Sequence, residues 1–276
     1  MRCIFCKSPS DSSVSVEHII PKSLGNDDHV LKAGWVCDPC NNYLAIKVEA
    51  PFMNSEYGKL SRFEMNIQNR RGRTPIVSGF HFPSRTRVDL QYTDHGIAFS
   101  APTEEEEHKL ISSLKSQPTG SFLLPASDIP DLNYEVARFI GMIALEALAF
   151  RCVDIDGWND EVVDNESFDE LRTYVRRGRP GFVWPVHIRR IYPAANEFSD
   201  SVTPIIQVLH EFDLLCFQFK DSSEQITEIF AVIAIFGIEY TINLGAPDLD
   251  SYLAWLDANN HASYLYSKTE AEQAAS

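Results

Sequence analysis

The sequence predicts an α+β protein: a short N-terminal domain held by clustered cysteines, then a larger α+β domain with a mainly antiparallel sheet. Three observations carry this. Two CxxC pairs, Cys3/Cys6 and Cys37/Cys40, fall within the first forty residues of a 276-residue chain that holds six cysteines in all. The segment from Asp131 to Phe150 is apolar around nearly its whole helical circumference, as a helix buried in a core must be. Beyond residue 204, β-rich runs follow one another across short turns, which favours antiparallel pairing. The boundary is placed at 75/76, with residues 1–75 as the small domain and 76–276 as the larger one.

The first domain is read from its cysteines outward. Each CxxC can put two thiolates on one ion, and two pairs complete the four-sulfur tetrahedron that suits Zn2+. The competing pattern is a pair of disulfides. The Met-Arg-Cys start leaves no room for a signal peptide, and no run of eighteen apolar residues indicates a membrane span. The expectation is therefore a cytoplasmic chain with no membrane association, where reduced thiols favour metal. Val14–Ile20 alternates and is rich in β-branched residues, so a strand is expected there, ended by Pro21. A loop follows from Leu24 to His29, and Gly34-Trp35-Val36 leads into the second knuckle. A helix is expected from Asn41 to Glu49, with Leu44 and Val48 on one face and Pro51 just past its end.

Three residues of this domain suit hydrolysis of a phosphodiester. Such a reaction needs an activated water, a base for its proton and a cation to offset charge on the leaving oxygen. His18 is the natural base, since an imidazole titrates near neutral pH. Glu17, beside it, is a hard oxygen donor. On a regular strand the two side chains face opposite ways, so a twist is needed for both to serve one site. Asn41 offers a carbonyl oxygen to a Mg2+ shell, which takes few protein ligands and several waters, and it is also placed to cap a helix.

The residues CIFC at 3–6, EHIIPKSLGN at 17–26 and CDPCNN at 37–42 together resemble the HNH endonucleases in their zinc-stapled ββα-metal form. The resemblance covers roughly residues 1–50. It implies a structural zinc on Cys3, Cys6, Cys37 and Cys40. It also implies His18 as general base, and Glu17 and Asn41 as ligands of one catalytic Mg2+ or Mn2+. Lys32 stands where many relatives carry the middle Asn of the motif, so Asn26 is its substitute, holding the loop and orienting His18. The implied activity is endonucleolytic hydrolysis of double-stranded DNA, in a defence system or a mobile element. A homodimer would supply two cuts, and a protein partner or signal would act on the second domain. The rival is a non-catalytic zinc-binding module that recognises nucleic acid or protein.

Net charge is −15, and it is unevenly spread. Residues 1–75 carry 10 Lys+Arg and 8 Asp+Glu, while the rest carry 14 and 31. A protein that coats nucleic acid by its global field is excluded, so contact must come from local patches. Arg70, Arg71 and Arg73 form one candidate. The second is the stretch from Arg172 to Arg190, which holds six arginines and no acid, with Phe182, Trp184 and His187 interleaved. Within it, Arg176, Arg177 and Arg179 are the expected phosphate contacts.

The second domain is expected to open with a hairpin, Arg87–Tyr92 and Gly96–Ser100, and a helix starting near the Glu104–Glu107 run. Residues 116–130 are expected to be connecting loop. The helix up to Phe150 carries Glu146, a carboxylate in need of a partner if buried. A shorter helix, capped by Asn165 and stopped at Gly178, presents Phe168, Leu171 and Val175 on one face. Strands are expected at Ile205–Phe212, Leu214–Phe219, Glu228–Phe236 and Ile238–Asn243, then a last helix opened by Pro247.

Overall fold

The computed structural model describes residues 1–69, 71–117, 119–124, 128–193, 210–221 and 224–265. The chain forms two compact units, residues 1–52 with 129–276, and residues 53–128. These do not divide at 75/76. The zinc-motif segment and the C-terminal half form one body, because buried contacts far apart in sequence join them, and the intervening residues form a body of their own.

In the first unit, β1 (Glu17–His18) and β2 (Val30–Leu31) pair antiparallel, with Glu17 opposite Leu31 and His18 opposite Val30. The strand expected over 14–20 is only two residues long. The amides of Val14 and Ser15 go to the Asp38 carboxylate instead of to a neighbouring strand. The pairing partner is 30–31, in the segment after the loop. Helix α1 (Asp38–Leu44) begins before Asn41, with Pro39 in its first turn, where a missing N–H costs nothing. It runs on through a π-helical turn, Ala45–Glu49, into α2 (Ala50–Asn54). Pro51 therefore lies inside the helical run and not beyond it. Proline has no amide to close the preceding turn, and the carbonyl of Lys47 instead accepts a hydrogen bond from Arg138 at 3.2 Å.

The second unit holds α3 (Glu56–Glu64), β3 (Val77–Phe82), β4 (Thr86–Thr93), β5 (Gly96–Ser100), α4 (Glu104–Ser116) and β6 (Ser121–Leu123). Its sheet runs β5-β4-β3-β6, all antiparallel. The expected hairpin is β4–β5, and Thr103 caps α4 ahead of its four glutamates. Strand β6 lies in the stretch expected to be loop. Phe63, Val77, Val88, Leu90 and Leu110 form the core.

The chain then returns to the first unit with α5 (Tyr134–Arg151), capped by the Asn133 side chain on the Val136 amide. Every residue from Val136 to Ala149 is buried, as its apolar circumference predicts. Helices α6 (Trp158–Asp164) and α7 (Asp169–Arg177) follow, the second ended by Gly178 at φ +67°. Strand β7 (His187–Arg190), β8 (His210–Asp221), β9 (Glu224–Ile235) and β10 (Ile238–Asn243) form an antiparallel sheet in the order β7-β10-β9-β8. Residues 205–209 of the expected first strand lie outside the described residues. Phe230, Val232 and Ala234 face α8 (Asp250–Ala258), meeting Tyr252 and Leu256 there. Alternation turns their neighbours to the other face, where α5 packs. Among the described residues, no helix is long and apolar enough to cross a membrane.

Candidate functional site

Two knuckles bring the cysteines together. In the first, the Lys7 amide donates to the Cys3 carbonyl at 2.8 Å, and Lys7 itself takes φ +62°. In the second, the Asn41 amide donates to the Cys37 carbonyl at 2.9 Å as α1 begins. The knuckles are bound to each other by the Ile4 amide on the Trp35 carbonyl at 3.0 Å. All four sulfurs lie within 4.8 Å of one another, and Sγ of Cys6 and Cys37 are 3.6 Å apart. A tetrahedron with Zn–S bonds of about 2.3 Å has edges of about 3.8 Å. No disulfide joins them. The thiol of Cys40 hydrogen-bonds the Cys3 sulfur, which holds Cys3 down to about 5, and Cys40 is correspondingly pushed up. Burial pushes Cys37 up to about 11. One thiolate braced by its thiol neighbours is what such a cluster permits by itself. Four thiolates together require a cation, so the donor set and spacing fit a structural Zn2+.

The C-terminal half grips this staple. Arg172 is buried and donates to the Ile4 carbonyl at 2.8 Å, to Asn165 and Val162 carbonyls, and to Asp169. Lys7 pairs with Asp169 at 2.6 Å, and Arg2 with Asp160 and Asp164.

Glu17 and His18 are the two residues of β1. Glu17 is only 8 % exposed. Burial, with Glu49 nearby, pushes its carboxyl up to about 8. His18 is half-buried and not turned into the interior. Asn41, also half-buried, sits at the third residue after Asp38 and reaches the Val16 carbonyl with its Nδ2 in a long 3.5 Å contact. This puts Asn41 beside the residue that precedes Glu17. Asn26 is buried and fully used: Nδ2 donates to the Ile20 and His29 carbonyls at 2.7 and 3.2 Å, and Oδ1 accepts from the Asp28 and His29 amides, both at 3.1 Å. It ties off the loop that leaves β1 two residues after His18.

Two further carboxylates lie near Glu17. Glu49 ends the π-turn, and Glu146 comes from α5; Glu17 and Glu49 both act on Glu146 electrostatically. Burial and these like charges hold Glu146 far above the usual carboxylate range. The sequence marks Glu146 as an acid in need of a partner if buried, and its neighbours follow only from the packing of α5. Glu49 carried no signal beyond its place at the end of a helix.

The arginine patches separate into two kinds. Arg172 is consumed by the fold, and Arg189 pairs with the wholly buried Glu239 at 2.6 Å. Arg177 and Arg179 are exposed and Arg176 is half-buried; Arg179 also lies over the Phe182 ring at 4.9 Å and 3.6 Å from Glu170. Arg71 and Arg73 are exposed in the second unit, their amides on the Asn69 side chain. Arg70 lies outside the described residues.

A two-stranded hairpin, a helix and a four-thiol staple, with an acid–histidine pair on the strand and an amide on the helix, define a zinc-stapled ββα metal module. Residues 3–56 match the model of the HNH endonuclease family. No curated protein and no solved structure matches the chain. The N-terminal segment thus matches an HNH-type domain.

Proposed function

We propose that this chain is a divalent-cation-dependent endonuclease that hydrolyses phosphodiester bonds in DNA. The observation that carries the reading is the joint placement of Glu17 and His18 on a short strand and Asn41 beside it, in the segment matched by the family. The buried, unbonded oxygens of Glu146 near Glu17 and Glu49 also suit a cation. Glu17 and Asn41 would hold one Mg2+ or Mn2+, hard ions that take oxygen donors. Such an ion, when bound, offsets charge on the leaving oxygen.

The chain's own groups supply the rest. His18 takes the proton from the attacking water; its half-exposed ring leaves it open to substrate. Asn26 keeps the loop after β1 in one shape, so that the imidazole does not drift. The four-cysteine zinc fixes the angle between hairpin and helix, because so short a segment buries too little to hold itself. Arg71, Arg73, Arg176, Arg177 and Arg179 supply phosphate contacts against an acidic background.

Plasmid nicking with Mg2+, comparing wild type with His18→Ala and Asn41→Ala, tests this reading. Loss of a general base costs about 10²–10⁴-fold. Nicking by His18→Ala at the wild-type rate, with its zinc retained, would reject the mechanism and leave a zinc-stapled recognition module.

A further inference from the structure

Helix α5 has two polar side chains in its buried length, Arg138 and Glu146. Arg138 is accounted for: its guanidinium bonds the Val175 carbonyl twice, at 3.0 and 2.7 Å, and the Lys47 carbonyl. Glu146 is not. It is 0 % exposed, and neither carboxyl oxygen has a hydrogen-bond partner among the described residues. A leucine or methionine would fill the same volume without stranding a carboxyl in an apolar core. Its surroundings are specific. Helix α5 packs against β2, the strand paired with Glu17, and against the π-turn that ends on Glu49. The groups that act on Glu146 are Glu17, Glu49 and the sulfur of Cys3, every one negative or able to become so. Carboxylates from three elements thus lie near enough to act on one another, and Glu49, half-buried, is the most exposed of them.

We propose that Glu146 belongs to the divalent-cation site, as a carboxylate that accepts hydrogen bonds from the waters on an ion held beside Glu17 and Glu49. The inference rests on the cation-dependent reading above and deepens it: the site is built jointly by the zinc-stapled segment and by a helix outside residues 3–56. Among the described residues, only the cysteines form a set with ligand atoms all within 4.8 Å, so the three carboxylates do not share one tight shell. An ion such as Mg2+, which keeps several of its waters, bridges such a spacing.

The test is Mn2+ titration of the zinc-loaded full chain, followed by the electron paramagnetic resonance signal of free Mn2+, with thermal melts in parallel. Wild type should bind Mn2+ beyond its zinc. Glu146→Gln should weaken that binding by about 10–100-fold, the usual effect of an outer-shell partner. The same variant should be at least as stable as wild type without Mn2+, and should lose most of the melting-temperature rise that Mn2+ produces. Glu146→Asp, which keeps the charge, should lie between. Wild-type Mn2+ affinity in Glu146→Gln, together with weakened binding in Glu17→Gln, overturns the role of Glu146 and leaves the nuclease reading standing. No Mn2+ binding by wild type overturns both. Should Glu146→Gln lose its zinc or its fold, Glu49→Gln decides: wild-type affinity there overturns the proposal, and a comparable loss upholds it.

Discussion

Single side chains in this protein join segments that are distant in sequence. Arg172 holds the first knuckle by the Ile4 carbonyl while also meeting three groups around α7. Arg172→Met would leave buried carbonyls unpaired, each worth about 1–3 kcal/mol. The expected result is a loss of several kcal/mol in denaturant unfolding, with weaker zinc retention against a chelator. His210 is a second such residue: its Nε2–H donates to the Leu24 carbonyl at 2.7 Å, in the loop that follows β1. Burial holds its imidazole down to about 4. Since the folded pKa lies below the ordinary value near 6.5, the fold takes the neutral ring. Its contribution is complete above pH 6.5 and is lost as pH falls toward 4, by up to about 3 kcal/mol. Unfolding curves at pH 7, 5.5 and 4 should show this loss in wild type, and His210→Gln should flatten it. An equal slope in both proteins would assign the acid limb to other groups.

At the scale of elements, the pattern of success follows locality. Helix α5 was legible up to Phe150 because its apolar circumference is a property of adjacent residues. Helix α7 was legible at its Gly178 end, but Asn165 caps a short 3-10 turn, Glu166–Phe168, and α7 itself starts after Phe168 without a side-chain cap. Replacing Asn133 by Ala should cost about 1 kcal/mol, read as a lower melting temperature, because the Val136 amide loses its acceptor. The β9–β10 hairpin turns on Phe236 and Gly237, both at positive φ, and a Cβ at Gly237 would sit 2.1 Å from the Tyr192 carbonyl. Strand 14–20 failed as a prediction because alternation says nothing about who accepts its hydrogen bonds. Here a side chain, Asp38, takes two amides. The zinc element is the most fragile: Cys37→Ser should release the ion and unfold the β1–β2–α1 segment, which circular dichroism and zinc content would report together. Retained structure and activity in zinc-free protein would contradict this.

For the molecule as a whole, the HNH-type segment does not stand alone. Arg2, Lys7 and Ile4 are held from α6 and α7, and Phe52 stacks on Phe139 of α5 at 4.1 Å. A fragment ending at residue 75 exposes those surfaces. It is expected to lose its cooperative melting transition even with excess Zn2+, and to nick plasmid far more slowly than the full chain. A fragment as active as the full chain would show that residues 129–276 serve neither folding nor catalysis. Because the net charge is −15, the proposed DNA contact would depend on a few exposed arginines, and a shallow salt dependence is expected. Replacing Arg177 and Arg179 by Ala should lower the slope of log K against log salt by up to about 2.

The sequence by itself determined the zinc staple, the nuclease-type motif and the helices with strong caps. Each of these is written in short local spacings, such as a CxxC pair, an acid–histidine pair or a cap residue, so the pattern alone encodes it. Only the tertiary structure decided which acids meet, which arginines are spent on internal pairs and where the compact units divide. Glu17 and Glu146 act on each other because α5 packs on β2, the partner of the strand that carries Glu17, and on the π-turn. That packing is driven by apolar burial over the whole surface of α5, a sum over many side chains that no local spacing records.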